Sequence, residues 1–206
     1  MIPPHATKDV QSALSSPIDS DTLDRLHRSL ERAAESEGLL DVSYSTVDTP
    51  IGSLLLAATR HGLVRVAFEV EGHDHTLESL ASEISPRILR GGTRLDAASR
   101  QIEEYFAGTL RTFRLDLDFG LSHGFRQVVQ RSLSTIAYGE TRSYGEVAQF
   151  VGNPRAVRAV GSACATNPLP IVLPCHRVLR SNGSLGGYAG GVEVKALLLE
   201  LEAGQL

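Results

Sequence analysis

The chain is poor in several residue types on which whole classes of function depend. Its 206 residues include two cysteines, Cys164 and Cys175, too few for a disulfide framework or an all-thiolate structural zinc site. Lysine is nearly missing: Lys8 and Lys195 are the only lysines among 20 basic residues, the rest being arginine. No stretch approaches the roughly 18 consecutive apolar residues of a membrane span. The opening MIPPHATKDV lacks the basic and apolar segments of a secretory signal. The expected setting is therefore a reducing cytoplasm in which both thiols stay free. An excess of positive charge is also missing. Asp plus Glu number 24 and the net charge is −4, so no global basic field draws in nucleic acid or membrane.

What is present is a globular composition, 42% hydrophobic and 21% charged, enough for one large core or two small ones. Collagenous, coiled-coil and wholly disordered chains are excluded. The charge is divided unevenly. Residues 1–121 carry 12 basic and 19 acidic side chains, whereas residues 122–206 carry 8 and 5. The C-terminal part is thus mildly basic and suits an anionic partner.

Patterning divides the chain at two points. Residues 1–40 read as a tail (1–18) followed by an accessory helix from Ser20 to Glu37. Ser20 or Asp21 can cap that helix, Leu23, Leu26 and Leu30 form a stripe to pack on the domain, and Gly38 stops it. Residues 41–121 read as a small α/β domain. Strands over Val42–Val47, Leu54–Ala58 and Leu63–Phe68, separated by turns, suggest an antiparallel meander. Helices follow over Gly72–Ser85 and Leu95–Phe106, with Leu95, Ile102 and Phe106 inward, and a strand over Phe113–Leu117 returns to the sheet. His61, His73 and His75 lie on this half without a thiolate partner and read as surface histidines. Residues 122–206 turn helical. Phe125, Val128, Val129, Leu133 and Ile136 form one stripe, Ser143 caps a helix Tyr144–Phe150, and Pro154 sits at the first position of a helix running to about Cys164. Two short helices joined by a Gly-containing turn outline a helix-turn-helix, an outline shared by plain helical cores.

The segment from Asn167 to Val178 is unlike core sequence. Pro168, Pro170 and Pro174 fix an extended backbone that delivers Cys175 and His176 together. A lone cysteine is ordinarily a small buried hydrophobe. Here an imidazole and Arg177 flank it, features that can favour the thiolate.

The string Pro174-Cys175-His176-Arg177-Val178 resembles the active-site signature of the methylated-DNA–protein-cysteine methyltransferases, also called O6-alkylguanine-DNA alkyltransferases. The resemblance extends from about Phe125 to Glu202. It takes in Ser143-Tyr144, Gly152-Asn153-Pro154, Arg158 to Gly161, Asn167-Pro168, Gly183, Gly186, Tyr188, Gly190-Gly191, Lys195 and a final acidic helix. In the N-terminal half only Thr49-Pro50-Ile51-Gly52 and the strand after it fit. The resemblance implies an α+β protein: a ribonuclease H-like N-terminal domain and a winged-helix-like C-terminal domain carrying the helix-turn-helix.

It also implies a reaction and a site. The alkyl group of O6-methylguanine, and of O4-methylthymine, in duplex DNA would pass irreversibly to Cys175 in a single turnover. His176 would take the thiol proton through a water, with Glu202 orienting the imidazole and Glu200 as the register alternative. Tyr144 would donate toward guanine N3, helped by Lys195. The carbonyls of Cys175 and Val178 would accept from the guanine amine, the N–H groups of Tyr188 and Ala189 would address O6, and Gly190 would keep the pocket wall low. Ala189 departs from the Ser of some relatives, but its backbone donor remains. Asn167 would brace the turn behind the active-site strand. Binding would be in the minor groove with the base flipped out, Arg158 entering the stack while Ser143, Tyr144, Ala159 and Gly161 line the contact. No metal or organic cofactor is implied, and the protein would act as a monomer, with cooperation along DNA an open matter. Cys164, where relatives carry a larger aliphatic residue, is core, a second acceptor, or an oxidation partner of Cys175.

Overall fold

The computed structural model describes residues 19–91 and 93–204; the tail over residues 1–18 lies outside them. The described chain has an N-terminal sheet half and a C-terminal helical half, packed along one continuous core.

Helix α1, Ser20–Ser36, is capped by Asp19, whose carboxylate accepts from the Thr22 N–H at 2.7 Å, rather than by Ser20 or Asp21. Gly38, at φ +67°, ends it as expected, its N–H turned back to the Glu35 carbonyl at 3.1 Å. Its leucine stripe does not pack on the domain: Leu23, Leu26 and Leu30 are 51%, 56% and 55% exposed. The surface beneath the helix is polar, so its polar face turns inward. His27 donates to the Arg90 carbonyl, Arg94 pairs with Glu35 at 2.8 Å, and Glu31 is buried.

Strands β1 (Val42–Thr49), β2 (Gly52–Thr59) and β3 (Gly62–Phe68) form the antiparallel meander. Helix α2, His73–Glu83, then leads to β4, Ile88–Arg90, which pairs parallel to β1 and gives the order β3-β2-β1-β4. The sheet is therefore mixed, and the sequence reading missed β4 because three residues beside Pro86 carry no alternation.

Both faces of the sheet are covered, which explains the unbroken apolar run of β2. Leu55 and Ala57 of β2 join Val64, Ala67 and Leu80 beneath α2, whereas Leu54, Leu56 and Ala58 face the C-terminal half.

Helix α3, Asp96–Phe106, buries Ala98, Ile102 and Tyr105 on that second face. The expected strand over Phe113–Leu117 reduces to one parallel bridge, Leu117 to Leu63. The Gln101 side chain of α3 takes both backbone groups of Arg114, at 2.9 and 2.7 Å, so the segment is satisfied by a helix instead of a ladder. It still covers the β3 edge through Leu63 N–H to Asp116 and Asp118 N–H to Leu63, both 2.8 Å.

In the C-terminal half, α4 (Gly124–Leu133) buries Val129, Gln130 and Leu133. Val128, expected in the stripe, is 51% exposed. Gln130 turns inward in its place, and its amide reaches the Ala163 carbonyl at 2.9 Å and the Thr166 carbonyl at 3.1 Å. The two-residue β5 (Arg142–Ser143) runs into α5, Tyr144–Phe150. Helix α6, Val157–Ala165, follows, with Ala156 as N-cap. Pro154 is thus not the first helical residue. It is the second residue of a turn closed by Ala156 N–H to the Asn153 carbonyl at 2.9 Å, where a proline's fixed φ suits a turn. Strand β6 (Val178–Leu179) pairs with β5, and α7, Val192–Glu202, closes the fold. No helix among the described residues is long and apolar enough to cross a membrane.

Candidate active site

Cys175 is delivered by a constrained segment. Ile171 takes φ +71°, a left-handed backbone that costs a β-branched residue about 1–3 kcal/mol. Its side chain is fully buried, and burial of that size returns about 1.5–3 kcal/mol. The turn is held by Asn167, whose amide donates to the Leu173 carbonyl at 2.8 Å and to Cys175 Sγ at 3.2 Å, while its Oδ1 accepts from Leu169 N–H at 3.1 Å. Asn167 therefore braces the turn and touches the sulfur.

Cys175, His176 and Arg177 form one 3-10 turn that β6 continues. Because β6 pairs with β5 in the register Arg142–Val178 and Ser143–Leu179, the start of α5 is fixed beside that turn. Ser143 caps α5 in a box with Glu146: its Oγ accepts from the Glu146 N–H at 3.2 Å and donates to the Glu146 carboxylate at 2.7 Å. Tyr144 opens the helix, half-buried toward the two thiols.

The imidazole of His176 is fully buried. Its Nε2–H donates to Glu202 Oε1 at 2.8 Å, which leaves Nδ1 as the basic nitrogen; Nδ1 is buried and has no partner among the described residues. Glu202 is held from several sides. Arg177 grips it with Nε on Oε2 and Nη2 on Oε1, both at 2.8 Å. Tyr105 donates to Oε1 at 2.7 Å and the Gly139 N–H to Oε2 at 3.2 Å. Burial alone would raise this carboxyl's pKa; the His176 and Arg177 hydrogen bonds overcome that and hold it well below the usual carboxylate range. Glu200, the register alternative, lies on the exposed face of α7.

Arg177 does not favour the Cys175 thiolate, contrary to the expectation from its position. Its fork is spent on Glu202, and its Nη1 on the Ile136 carbonyl at 2.6 Å. Burial pushes the Cys175 thiol up to about 11, against the Asn167 hydrogen bond and the Lys195 charge. At rest this is a neutral thiol beside a neutral imidazole, because burial also lowers the pKa of His176. Lys195 is fully buried and donates to the Val178 carbonyl at 2.6 Å. Its charge acts on Cys175 and Cys164; no hydrogen bond joins it to Tyr144 among the described residues. Cys164 is core, its thiol pushed up by burial.

The loop between β6 and α7 closes the site. Tyr188 stacks edge-on to Phe68 of β3 at 5.4 Å and to His176 at 6.3 Å. The N–H groups of Tyr188 and Ala189 find no acceptor among the described residues. The missing side chain of Gly190 faces Phe68, where a Cβ would lie 2.9 Å from the ring, so this glycine serves the contact between the halves. Gly186, which sequence reasoning noted only as part of a resemblance, has a direct role: a Cβ there would fall on the Tyr144 hydroxyl. Gly186→Ala therefore displaces Tyr144. On the role that the resemblance implies for Tyr144, this variant should slow alkyl transfer by roughly 10- to 100-fold, like Tyr144→Phe, with little change in melting temperature; a stopped-time transfer assay checks this.

Outside the pocket, α6 presents a separate surface. Arg158 and Ala159 are exposed, and a Cβ on Gly161 would meet nothing within 4 Å. The small residues of this face are not needed for packing inside the protein. Among the described residues no group of three His, Cys, Asp or Glu side chains could hold a metal ion.

The arrangement is a buried soft nucleophile beside an imidazole whose other nitrogen is fixed by a carboxylate, with the Tyr144 phenol facing the thiols. Such a set can move an alkyl group to sulfur while handing protons to either side. Comparison with known proteins agrees. Residues 124–204 match the model of the 6-O-methylguanine DNA methyltransferase DNA binding domain, and residues 42–119 match its ribonuclease-like domain. A methylated-DNA–protein-cysteine methyltransferase of Methanosarcina acetivorans is 42% identical over 159 residues, covering 77% of this chain and 97% of that protein. The Mycobacterium leprae protein of that name is 45% identical over 161 residues, 78% of this chain and 92% of its own. The crystal structure of Mycobacterium tuberculosis OGT in complex with DNA matches with a TM-score of 0.68 at 41% identity, over 79% of this chain and 94% of that one. The chain belongs to the methylated-DNA–protein-cysteine methyltransferase family, the DNA-repair transferases that carry alkyl groups from DNA to one of their own cysteines.

Proposed function

We propose that this protein removes the alkyl group from O6-methylguanine, and from O4-methylthymine, in duplex DNA by a single transfer to Cys175. The observation that carries the reading is the continuous run Glu202–His176 beside Cys175, whose sulfur meets only an Asn167 donor among the described residues. In the reaction the Cys175 S–H proton passes through a water to His176 Nδ1, and the sulfur attacks the methyl carbon. The C–O6 bond breaks as the S–C bond forms. The Tyr144 hydroxyl protonates guanine N3, so the base leaves neutral, and its phenolate regains a proton from the imidazolium through solvent. Burial raises the Tyr144 pKa, in keeping with a phenol that is protonated before the reaction.

Val178 and Cys175 each have a carbonyl lone pair left for the guanine amine: Lys195 takes one on Val178, and the Val178 N–H takes one on Cys175. The free N–H groups of Tyr188 and Ala189 address O6. Lys195, anchored on Val178, favours the developing thiolate more directly than it helps Tyr144. The thioether has no route back to a thiol, so each chain acts once, as a monomer and without a cofactor.

Access to the base comes from α5 and α6 in the minor groove, within a DNA-binding and acceptor domain over residues 122–206 that sits beside the α/β domain over 41–121. Arg158 replaces the flipped guanine in the stack, since a planar guanidinium can both stack and pair with the orphan cytosine. The exposed Ala159 and the half-buried Gly161, beside which a Cβ would meet nothing within 4 Å, permit close approach, and Ser143 and Tyr144 lie at the rim. Titrating a methyl-labelled duplex with the protein tests this, the expected plateau being one methyl per chain. Arg158→Ala should keep that plateau but slow transfer from duplex by roughly 10- to 100-fold, while changing transfer from free O6-methylguanine base by less than about threefold. Multiple turnovers, or equal losses on both substrates, would contradict the proposal.

A further inference from the structure

Among the described residues, Glu202 receives one hydrogen bond from outside the C-terminal half. Tyr105 lies on α3, 97 residues before Glu202 in the chain, and its hydroxyl donates to the same oxygen, Oε1, on which the His176 Nε2–H rests. The ring is completely buried against Phe106, Phe113 and Tyr138, with centroids 5.3, 5.4 and 6.1 Å away. A phenylalanine would fill that space equally well. A hydroxyl in an apolar position is unfavourable unless bonded, so what distinguishes tyrosine here is the donor to the carboxylate.

Resting on the transferase reading, we propose that Tyr105 is a positioning residue for alkyl transfer: its hydroxyl fixes and partly shares the Glu202 oxygen that orients His176. The N-terminal half thereby reaches the proton-transfer chain as well as packing beside it. The two anchors of Glu202 divide the work. The Arg177 fork sets the carboxylate plane, and Tyr105 sets how much of the charge on Oε1 is left for the imidazole. With the hydroxyl gone, Oε1 keeps His176 and the Arg177 Nη2 alone, its pull on the Nε2 proton grows, and the imidazole becomes more basic. A protonated imidazole cannot accept the thiol proton. The other titratable and charged groups facing His176 and Glu202 are Cys175, Arg177, Lys195, Tyr138 and Tyr188, with Arg111 behind Tyr138; none of these is altered by the substitution.

The test compares full-length wild type, Tyr105→Phe and Phe106→Leu between about pH 5.5 and 8.5. Phe106→Leu thins the packing around the Tyr105 ring, against which Phe106 lies edge-on at 5.3 Å, while leaving the Tyr105 hydroxyl in place. Two rates are followed at each pH: methyl transfer from an O6-methylguanine duplex, and carbamidomethylation of Cys175 by iodoacetamide, read by peptide mass. For Tyr105→Phe we expect the acid limb of both profiles to move up by about half to one unit, so that transfer falls roughly 3- to 10-fold on the acid side and by less at neutral pH. Phe106→Leu should leave both midpoints in place. The proposal is overturned if Tyr105→Phe stays within about twofold of wild type at every pH. A uniform loss across the pH range, matched by Phe106→Leu, would also overturn it by assigning Tyr105 to packing. If wild type itself left the lesion unrepaired, the transferase reading would fall, and the iodoacetamide midpoints would still decide the role of Tyr105.

Discussion

Replacing Cys175 with alanine is expected to abolish methyl transfer, a loss of roughly 10,000-fold or more, while binding of the lesion duplex is retained. The chemistry requires a polarisable nucleophile that can hold the alkyl group, and neither alanine nor the protein's second thiol supplies one. Cys164 is buried in the core beside α4, its thiol raised by burial without the compensating hydrogen bond that Asn167 gives Cys175. Cys175→Ser should be almost as inactive, because a buried hydroxyl gives up its proton far less readily than the thiol. Cys164→Ala should transfer within about threefold of wild type. A gel-shift assay on the same duplex separates lost chemistry from lost binding.

The second large effect is expected at Glu202. Glu202→Gln replaces an acceptor-only carboxylate by an amide that points a donor at Arg177 or His176. Transfer should fall roughly 100- to 1,000-fold, because the imidazole loses the group that fixes its tautomer. Stability should fall by about 3–5 kcal/mol, since Arg177 is left buried with its charge uncompensated. Urea unfolding measures that directly. The wild-type carboxyl also predicts a pH dependence. Its pKa in the folded protein is held below the ordinary value of 4.5, so the unfolded chain binds the proton more readily. The stabilisation is therefore complete above pH 4.5 and is lost as the pH falls below it toward the depressed folded value. In Glu202→Gln this contribution to acid unfolding is absent.

The sequence made the centre of the site legible and left its supports hidden, for a physical reason. Pro174 to Val178 is a local signal: a proline, a cysteine and an imidazole contiguous in the chain. Tyr144, Asn167 and Lys195 came from the same ordered resemblance. Tyr105 and Gly186 meet partners, Glu202 and Tyr144, that only folding brings near, so neither periodicity nor spacing marks them. The α3 pattern pointed to Ile102 and Phe106 as the inward residues, whereas Tyr105 is the fully buried aromatic and Phe106 sits at the edge. Gln101 and Gln130 show the same limit. Polar residues read as solvent-facing until a distant backbone, Arg114 for one and Ala163 for the other, supplies their bonds.

The errors in the fold have equally specific origins. Alternation in Val42–Val47, the apolar run Leu54–Ala58 and the turns on either side of it identified β1, β2 and β3, but β4 is too short to carry either signal. The segment after α3 looked like a strand by composition, yet its backbone is bonded by a glutamine side chain. The leucines of α1 were expected to face the domain because apolar stripes usually do. The surface below is made of Arg90, Gly91 and Arg94, and His27 and Glu31 fit it better. Pro154 obeyed its own rule in a turn rather than a helix, since both use nearly the same φ.

The most direct test is the intact mass of the full-length protein after incubation with duplex DNA carrying one O6-methylguanine, followed by peptide mapping. A chain about 14 Da heavier, the mass of one CH₂, with the addition confined to Cys175 and saturating at one per molecule, is the result expected of a stoichiometric acceptor. An unmodified chain that still shifts the lesion duplex, or a methyl group found on Cys164, would contradict the assignment of Cys175 as the alkyl acceptor.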